Sequence, residues 1–224
     1  MQRGRLERLA PLSGVLFFVL VVAAIVIFPD ETPSADDSRA KVVKFWLEHD
    51  SDAVASSIVI ALAAIPLVWF AGTLRAASRT AERVEGRLSA TAFAGAIILA
   101  AALVIGATMQ FVIGDAADHL PPVAIQTLSA ASSDFFFPFL VGIFLWLFAT
   151  GLVILRHRVL HAAFGWLAIL VAIVSITPVG FFGFIAAPVW TLAVSIALYR
   201  RWNAPPSAPP TTPTAPATSP GSPA

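Results

Sequence analysis

The sequence contains no cysteine and only two lysines, and each shortage excludes a class of chemistry. Without cysteine the chain forms no disulfide, thiolate nucleophile, thiolate zinc site or iron–sulfur cluster. Both lysines, Lys41 and Lys44, lie outside the long apolar stretches, which excludes a Schiff base inside such a stretch. The four histidines also lie outside them, so the imidazole ligands of a haem held within a helical bundle are missing.

Charge is scarce as well, at 12% of the residues, and no charged residue falls within six long apolar stretches. An α-helix rises 1.5 Å per residue, so about 20 apolar residues cross the roughly 30 Å hydrocarbon core of a bilayer. A water-soluble core does not need uncharged runs of that length. The sequence therefore predicts an all-α, polytopic bundle of six transmembrane helices within residues 1–202. The predicted spans are residues 9–28, 53–74, 88–113, 135–155, 162–177 and 181–199.

Two of these spans depend on how the chain is divided. Residues 162–199 carry no charge, and as one helix they would be about 57 Å long, almost twice the hydrocarbon thickness. Pro178-Val179-Gly180 therefore predicts a hairpin, because proline ends the helix and glycine tolerates a left-handed turn. The first span is longer than the apolar core of a secretory signal, so we expect it to be retained.

The loops between the spans differ strongly in charge. The N-terminus and segments 75–87, 156–158 and 200–201 hold eleven basic and three acidic residues, whereas the remaining loops hold three basic and ten acidic residues. Six crossings place both termini on the basic side, which the positive-inside rule assigns to the cytoplasm. We therefore predict a multi-pass protein of the bacterial inner (plasma) membrane with both termini in the cytoplasm.

Both acidic outer loops contain a short helical pattern. The second of them, from Pro122 to Ala131, starts with proline at a tolerated first-turn position. In the first, apolar and polar side chains separate onto two faces: Val42, Val43, Trp46 and Leu47 against Asp37, Lys41, Lys44 and Glu48. We predict two short amphipathic helices on the outer face, lying either in the headgroup layer or over the bundle as a lid.

The last 22 residues, 203–224, change abruptly in composition. They contain eight prolines among alanine, threonine and serine, and no charged side chain. Such a segment cannot form a packed core, because proline removes backbone donors and apolar side chains are few. We predict a disordered cytoplasmic tail.

One group of polar residues suggests a site. The amide of Gln110 is the strongest polar group inside a span, and Asp115, Asp134 and Thr177 are expected at a similar depth near the outer surface. Together with Trp46 of the first outer helix they form a candidate polar pocket open to the outside. Two structural roles compete with this interpretation: Asp134 as a helix cap, and Gln110 as an interhelical hydrogen bond worth about 1 kcal/mol.

Three segments of the chain carry a family resemblance: the outer helix at 41–49, the sequence Ser-Ser-Asp-Phe-Phe-Phe at 132–137, and the turn at 156–166. With its six spans, the chain resembles uncharacterised actinobacterial six-helix membrane proteins that share a domain of unknown function, over residues 8–201. It differs from them at His161, where the family usually has proline. The resemblance implies no substrate, cofactor or catalytic residue. Twelve arginines against two lysines also fit a GC-rich bacterium.

Enzymes and ion-coupled carriers of the membrane need ionisable groups at depth, and the predicted spans contain none. His157 and His161 have a metal-compatible spacing but no further ligand nearby, so we predict no catalytic, cofactor or metal site. Two functions remain. The first is a non-catalytic scaffold, sensor or accessory subunit that contacts membrane lipids and a protein partner or a second copy, but not nucleic acid. The alternative is a carrier or binder of a lipid or other apolar molecule through the outward-facing pocket.

Overall fold

A computed structural model of the chain describes residues 7, 9–28, 32–34, 36–82, 86–177 and 179–203. Every regular element within these residues is a helix, as the uncharged apolar stretches predict. A short 3-10 turn at Ala10–Leu12 leads into the first of them. The helices are α1 (Ser13–Ile27), α2 (Arg39–Glu48), α3 (Asp50–Glu82), α4 (Arg87–Asp115), α5 (Pro122–Ser133), α6 (Phe137–His157), α7 (Ala162–Ser175) and α8 (Phe181–Asn203).

Five helical stretches of the described chain are long and apolar enough to cross a membrane. They are Ala10–Ile27, α3, α4, the stretch Pro122–His157 that contains α5 and α6, and α8. The predicted fifth span corresponds to α7, an apolar helix of 14 residues. At 1.5 Å per residue α7 is about 21 Å long, which is shorter than the hydrocarbon core.

Several helix ends differ from the predicted spans. Helix α3 begins at Asp50 and continues past Leu74 to Glu82, and Gly86 then turns the chain with a positive φ of 56°. Helix α6 begins at Phe137, because residues 134–136 form a turn. At its other end Arg158 also adopts a positive φ, of 51°. The predicted hairpin residue Pro178 and the tail beyond Asn203 lie outside the described residues.

The main core contains buried side chains of α1, α3, α4, α6, α7 and α8, and α4 packs against both α3 and α6. The rings of Phe70, Trp146 and Trp190 meet edge to face at its centre, with centroid distances of 6.4 Å and 6.0 Å. Small residues allow the close approach: a Cβ added to Gly142 of α6 would lie 2.7 Å from the backbone nitrogen of Leu99 on α4. Close packing of this kind is the usual source of helix association in lipid.

The first and last described helices lie side by side. The hydroxyl of Ser195 on α8 donates to the carbonyl of Pro11, just before α1. Glu7 and Trp202, close to the two ends of the described chain, also line one surface groove. Both ends of the described chain therefore lie at the same end of the bundle. We call it the basic end, because it carries seven of the described arginines: Arg75, Arg79, Arg87, Arg156, Arg158, Arg200 and Arg201.

Candidate functional site

A second, smaller hydrophobic core lies at the opposite end of the molecule. Helices α2 and α5 pack against each other there and cover the start of α3 and the end of α4. Its buried members are Val42, Trp46, Ala53, Ile113, Ala117 and Ile125. We call α2, α5 and the segment 116–121 the cap.

Trp46 is the centre of the cap, with 1% of its surface exposed. Its indole Nε1–H donates a buried hydrogen bond of 3.1 Å to the hydroxyl of Ser129 on α5. The Trp46 ring stacks on Phe28 at 6.1 Å and meets Phe45 edge to face at 5.6 Å. Trp46 thus joins α2 to α5 and to the end of α1, so the cap is a packed unit rather than two separate surface helices.

A polar turn fixes the start of α2. The carboxylate of Asp37 accepts from the ammonium of Lys41 at 2.7 Å and from the backbone N–H of Ser34 at 2.9 Å. Both contacts hold the pKa of Asp37 below its ordinary range, and the contact with Lys41 has the larger effect. Helix α2 begins at Arg39, after Ser38. Asp37 therefore stabilises the turn that leads into α2.

The five residues of the predicted polar pocket are distributed as follows. The Gln110 amide donates to the carbonyl of Ala53 at 3.2 Å, so Gln110 and Trp46 both bond to residues of the cap end. Thr177 follows α7, and its hydroxyl donates to the carbonyl of Val174. Asp115 ends α4, Asp134 follows α5, and both carboxylates are exposed. That all five line one pocket remains a prediction.

A groove of about 700 Å³ runs along the exposed side of the cap, between α2 and Pro122 at the start of α5. Its lining combines apolar side chains with charges of both signs: Arg39, Val43, Lys44, Leu47, Glu48 and Pro122. Arg39 also donates to the Gln126 side chain at 3.0 Å, which links α2 to α5 beside the groove. A partner that presents an apolar side chain flanked by charged ones could make both apolar and ionic contacts in this groove.

The sequence placed Trp46 on the apolar face of α2 but did not identify α5 as the helix that covers it. A signal for it exists, because Ile125 and Ser129 stand four residues apart and so share one face of α5. Ile125 supplies the apolar contact and Ser129 supplies the acceptor for the indole. A helix that presents one hydroxyl beside an isoleucine is a suitable partner for a buried tryptophan.

The two histidines considered as metal ligands lie at the basic end. His157 ends α6, and His161 precedes α7, where its ring nitrogen Nδ1 accepts from the backbone N–H of Ala163 at 3.3 Å. His161 therefore caps a helix. Across the described ranges no group of three or more histidine and carboxylate side chains lies close enough to hold a metal ion.

Comparison of the chain with protein-family models, with curated proteins and with solved structures gives no match. The resemblance to actinobacterial six-helix proteins accordingly stays a prediction. In the part of the chain that the structure describes, all regular elements are helices and five of them are long and apolar, which is consistent with a multi-pass membrane protein, and a packed cap lies at one end.

Proposed function

We propose that the chain is a non-catalytic integral protein of the bacterial cell membrane that docks a protein partner on its cap. It crosses the bilayer six times, with both termini in the cytoplasm and the cap on the outer side. In this role it acts as a scaffold, a sensor or an accessory subunit.

The observation that carries the proposal is the cap's own core. Surface helices that only close a bundle could rest on the headgroup layer with their apolar faces in lipid. In this protein those faces are turned onto each other, with Val42 and Trp46 buried against Ile125. Leu47, which the sequence places on the same apolar face, lies outside this core and is 46% exposed, and Val123 of α5 is 54% exposed. A rigid, preorganised surface with exposed apolar residues and charges of both signs suits protein recognition.

The position of the chain ends supports an even number of crossings. Five crossings would separate the start of α1 from the end of α8 by the thickness of the membrane, whereas Pro11 and Ser195 are in contact. The additional crossing falls to α7. At 21 Å, α7 is shorter than the hydrocarbon core but can still cross it if the bilayer thins locally or if polar residues flanking α7 reach the interface. Each ångström of this length mismatch costs a fraction of a kcal/mol.

Charge distribution supports the orientation. The described arginines concentrate at the basic end, and the cap end carries Asp50, Asp52, Asp115 and Asp118. The positive-inside rule then assigns the cap to the outer side.

The alternative function, a carrier of an apolar molecule that uses Gln110 and Trp46, has less support. The only N–H of the Trp46 indole is donated to Ser129, and one N–H of the Gln110 amide is donated to the carbonyl of Ala53. Trp46 therefore has no donor left for a ligand, and Gln110 keeps only its second N–H and its carbonyl oxygen.

Site-specific photo-cross-linking in intact cells tests docking on the cap. A cross-linker at Leu47 or Val123 should form a discrete protein adduct, because both side chains are exposed on the cap. A cross-linker at Val26 is the control, since this side chain is 71% exposed on the apolar α1 and should contact lipid. The change Lys44→Glu should weaken the adduct at Leu47 by reversing a charge beside it.

Mass spectrometry of the adduct identifies the partner and separates a second copy of this chain from another protein. Absence of protein adducts at both cap positions, or the same adduct at Val26, would contradict docking on the cap.

A further inference from the structure

A recess of about 430 Å³ at the basic end gathers positive charge between α3, α8 and the loop after α6. Arg158 enters it from the left-handed turn after α6, and Arg201 from the last turn of α8. His157 also lines it. Within the described chain no carboxylate lines this recess. Its residues are therefore suited to an anion.

One of the two arginines is held in place by the fold. Arg201 donates from Nη1 to the backbone carbonyl of Val159, in the loop between α6 and α7. A guanidinium carries five N–H donors, so this bond orients the group without exhausting it. Arginine in a fixed orientation is the side chain best matched to phosphate, because its donors can engage two oxygens at once.

An apolar groove of about 630 Å³ adjoins the recess, and the two share Ala77, Thr80 and Trp202. Along α3 the groove runs from Thr80 to Val68, which is about 18 Å at 1.5 Å per residue. One leaflet of a bilayer contributes about 15 Å of hydrocarbon, so the groove is long enough for most of an acyl chain. Glu7 lines the groove but not the recess. Its negative charge would repel an anion from the groove, so an anion would be bound in the recess.

Gly72 shapes the floor of the groove. A Cβ added at this position would meet no atom within 4 Å, so no neighbouring helix requires glycine there. A larger side chain would project into open space beside Trp69 and Phe93, which line the same groove. Position 72 therefore offers a means of filling the groove without disturbing the packing of the bundle.

We propose that the basic end binds one anionic phospholipid, with its phosphate between Arg158 and Arg201 and an acyl chain along α3 over Gly72. Charge complementarity selects the headgroup, and the length and apolarity of the groove select a lipid over a free phosphate. This site is separate from the cap, so its existence does not depend on docking of a protein partner.

Native mass spectrometry of the full chain released from detergent measures the site. With phosphatidylglycerol and phosphatidylcholine of identical acyl chains, we expect one phosphatidylglycerol to be retained in preference. Arg158→Gln combined with Arg201→Gln should weaken that retention about thirtyfold, since each arginine near a headgroup contributes about 1 kcal/mol. Gly72→Phe should weaken it as well by filling the groove, whereas Gly72→Ala should not.

Matched variants separate this site from general charge effects. Arg200→Gln removes the same charge from the neighbouring residue and should leave retention unchanged, and lysine at 158 and 201 should restore part of it. Thermal unfolding of each variant shows that the bundle remains folded. Equal retention of the two lipids, or equal losses in Arg200→Gln and Arg201→Gln, would overturn the proposal. Full competition by inorganic phosphate, or no effect of Gly72→Phe, would overturn the acyl-chain half of the site and with it the choice of a lipid.

Discussion

The indole of Trp46 shows how one side chain can organise a surface. It is almost fully buried, stacks on Phe28 of the preceding helix end and bonds to Ser129 on a helix 83 residues further along the chain. A buried indole N–H without an acceptor would cost about 1–3 kcal/mol. The pair Trp46 and Ser129 therefore fixes the position of α2 on α5.

We expect Ser129→Ala to destabilise the cap by about 1–3 kcal/mol, because it leaves the Trp46 N–H buried without its acceptor. Hydrogen exchange of residues 39–48 measures the loss directly, since opening of the cap exposes these amides. Thr127→Ala is the matched control, because the Thr127 hydroxyl is exposed and bonds within α5 to the carbonyl of Val123. Equal exchange in the two variants would contradict a structural role for the Trp46–Ser129 bond.

For individual residues, the sequence predicted which side chains are unusual but not which atoms they bond to. The polar amide of Gln110 among apolar neighbours was recognisable, yet its acceptor is the backbone carbonyl of Ala53, 57 residues away. Every residue carries a carbonyl, so composition cannot indicate which one becomes the acceptor. The position of Trp46 on the apolar face of α2 was recognisable, whereas its hydroxyl partner depends on a tertiary contact.

Helices α4 and α6 approach each other closely at Gly142. A Cβ on Gly142 would meet the backbone of Leu99 at 2.7–2.8 Å. Backbone cannot rotate away as a side chain does, so the two helices would have to move apart. In a membrane, lipid is as apolar as the helices, so helix association there relies on close packing of this kind.

We expect Gly142→Ala to lower the stability of the bundle by about 1–3 kcal/mol, through overpacking against α4. Gly72→Ala is the control: it adds the same methyl group to a helix but meets no atom within 4 Å. It should be neutral or raise the stability by up to about 1 kcal/mol, because alanine favours helix over glycine. Thermal unfolding in detergent compares the two, and a Gly142→Ala bundle as stable as Gly72→Ala would exclude tight packing at Leu99.

The long helices were predictable because each has one dominant cause, an uncharged stretch that lipid or a packed core can accept. The residues at which these helices begin and end were less predictable. Helix α3 extends into polar sequence at both ends, since residues with fair helix propensity continue a helix that is already nucleated. Helix α6 starts two residues after the predicted span, because α5 runs to Ser133 and the chain turns through residues 134–136 before Pro138 enters the first turn of α6.

The molecule as a whole has two unlike ends. One carries the cap and acidic side chains, and the other carries seven described arginines together with both ends of the described chain. Such polarity is what a protein needs to hold one orientation in a membrane. Six crossings with the cap outside would account for the acidic cap end, for the arginines at the other end and for the presence of both ends of the described chain beside those arginines.

Cysteine labelling tests that orientation, and the absence of native cysteine makes each introduced thiol unique. In intact cells a membrane-impermeant maleimide should modify Lys44→Cys and Asp118→Cys, which are exposed at the cap end. It should modify Asn203→Cys only after the membrane is permeabilised. Labelling of Asn203→Cys in intact cells would contradict an even number of crossings or the cytoplasmic position of the C-terminal end.

The contact between Pro11 and Ser195 also has a consequence for biosynthesis. A ribosome synthesises α1 well before α8, so during that interval the side of α1 that meets α8 has no α8 against it. The contact between the two helices therefore forms only after the helices between them have been made. A nascent chain that stalls before α8 would leave this side of α1 open to quality-control proteases.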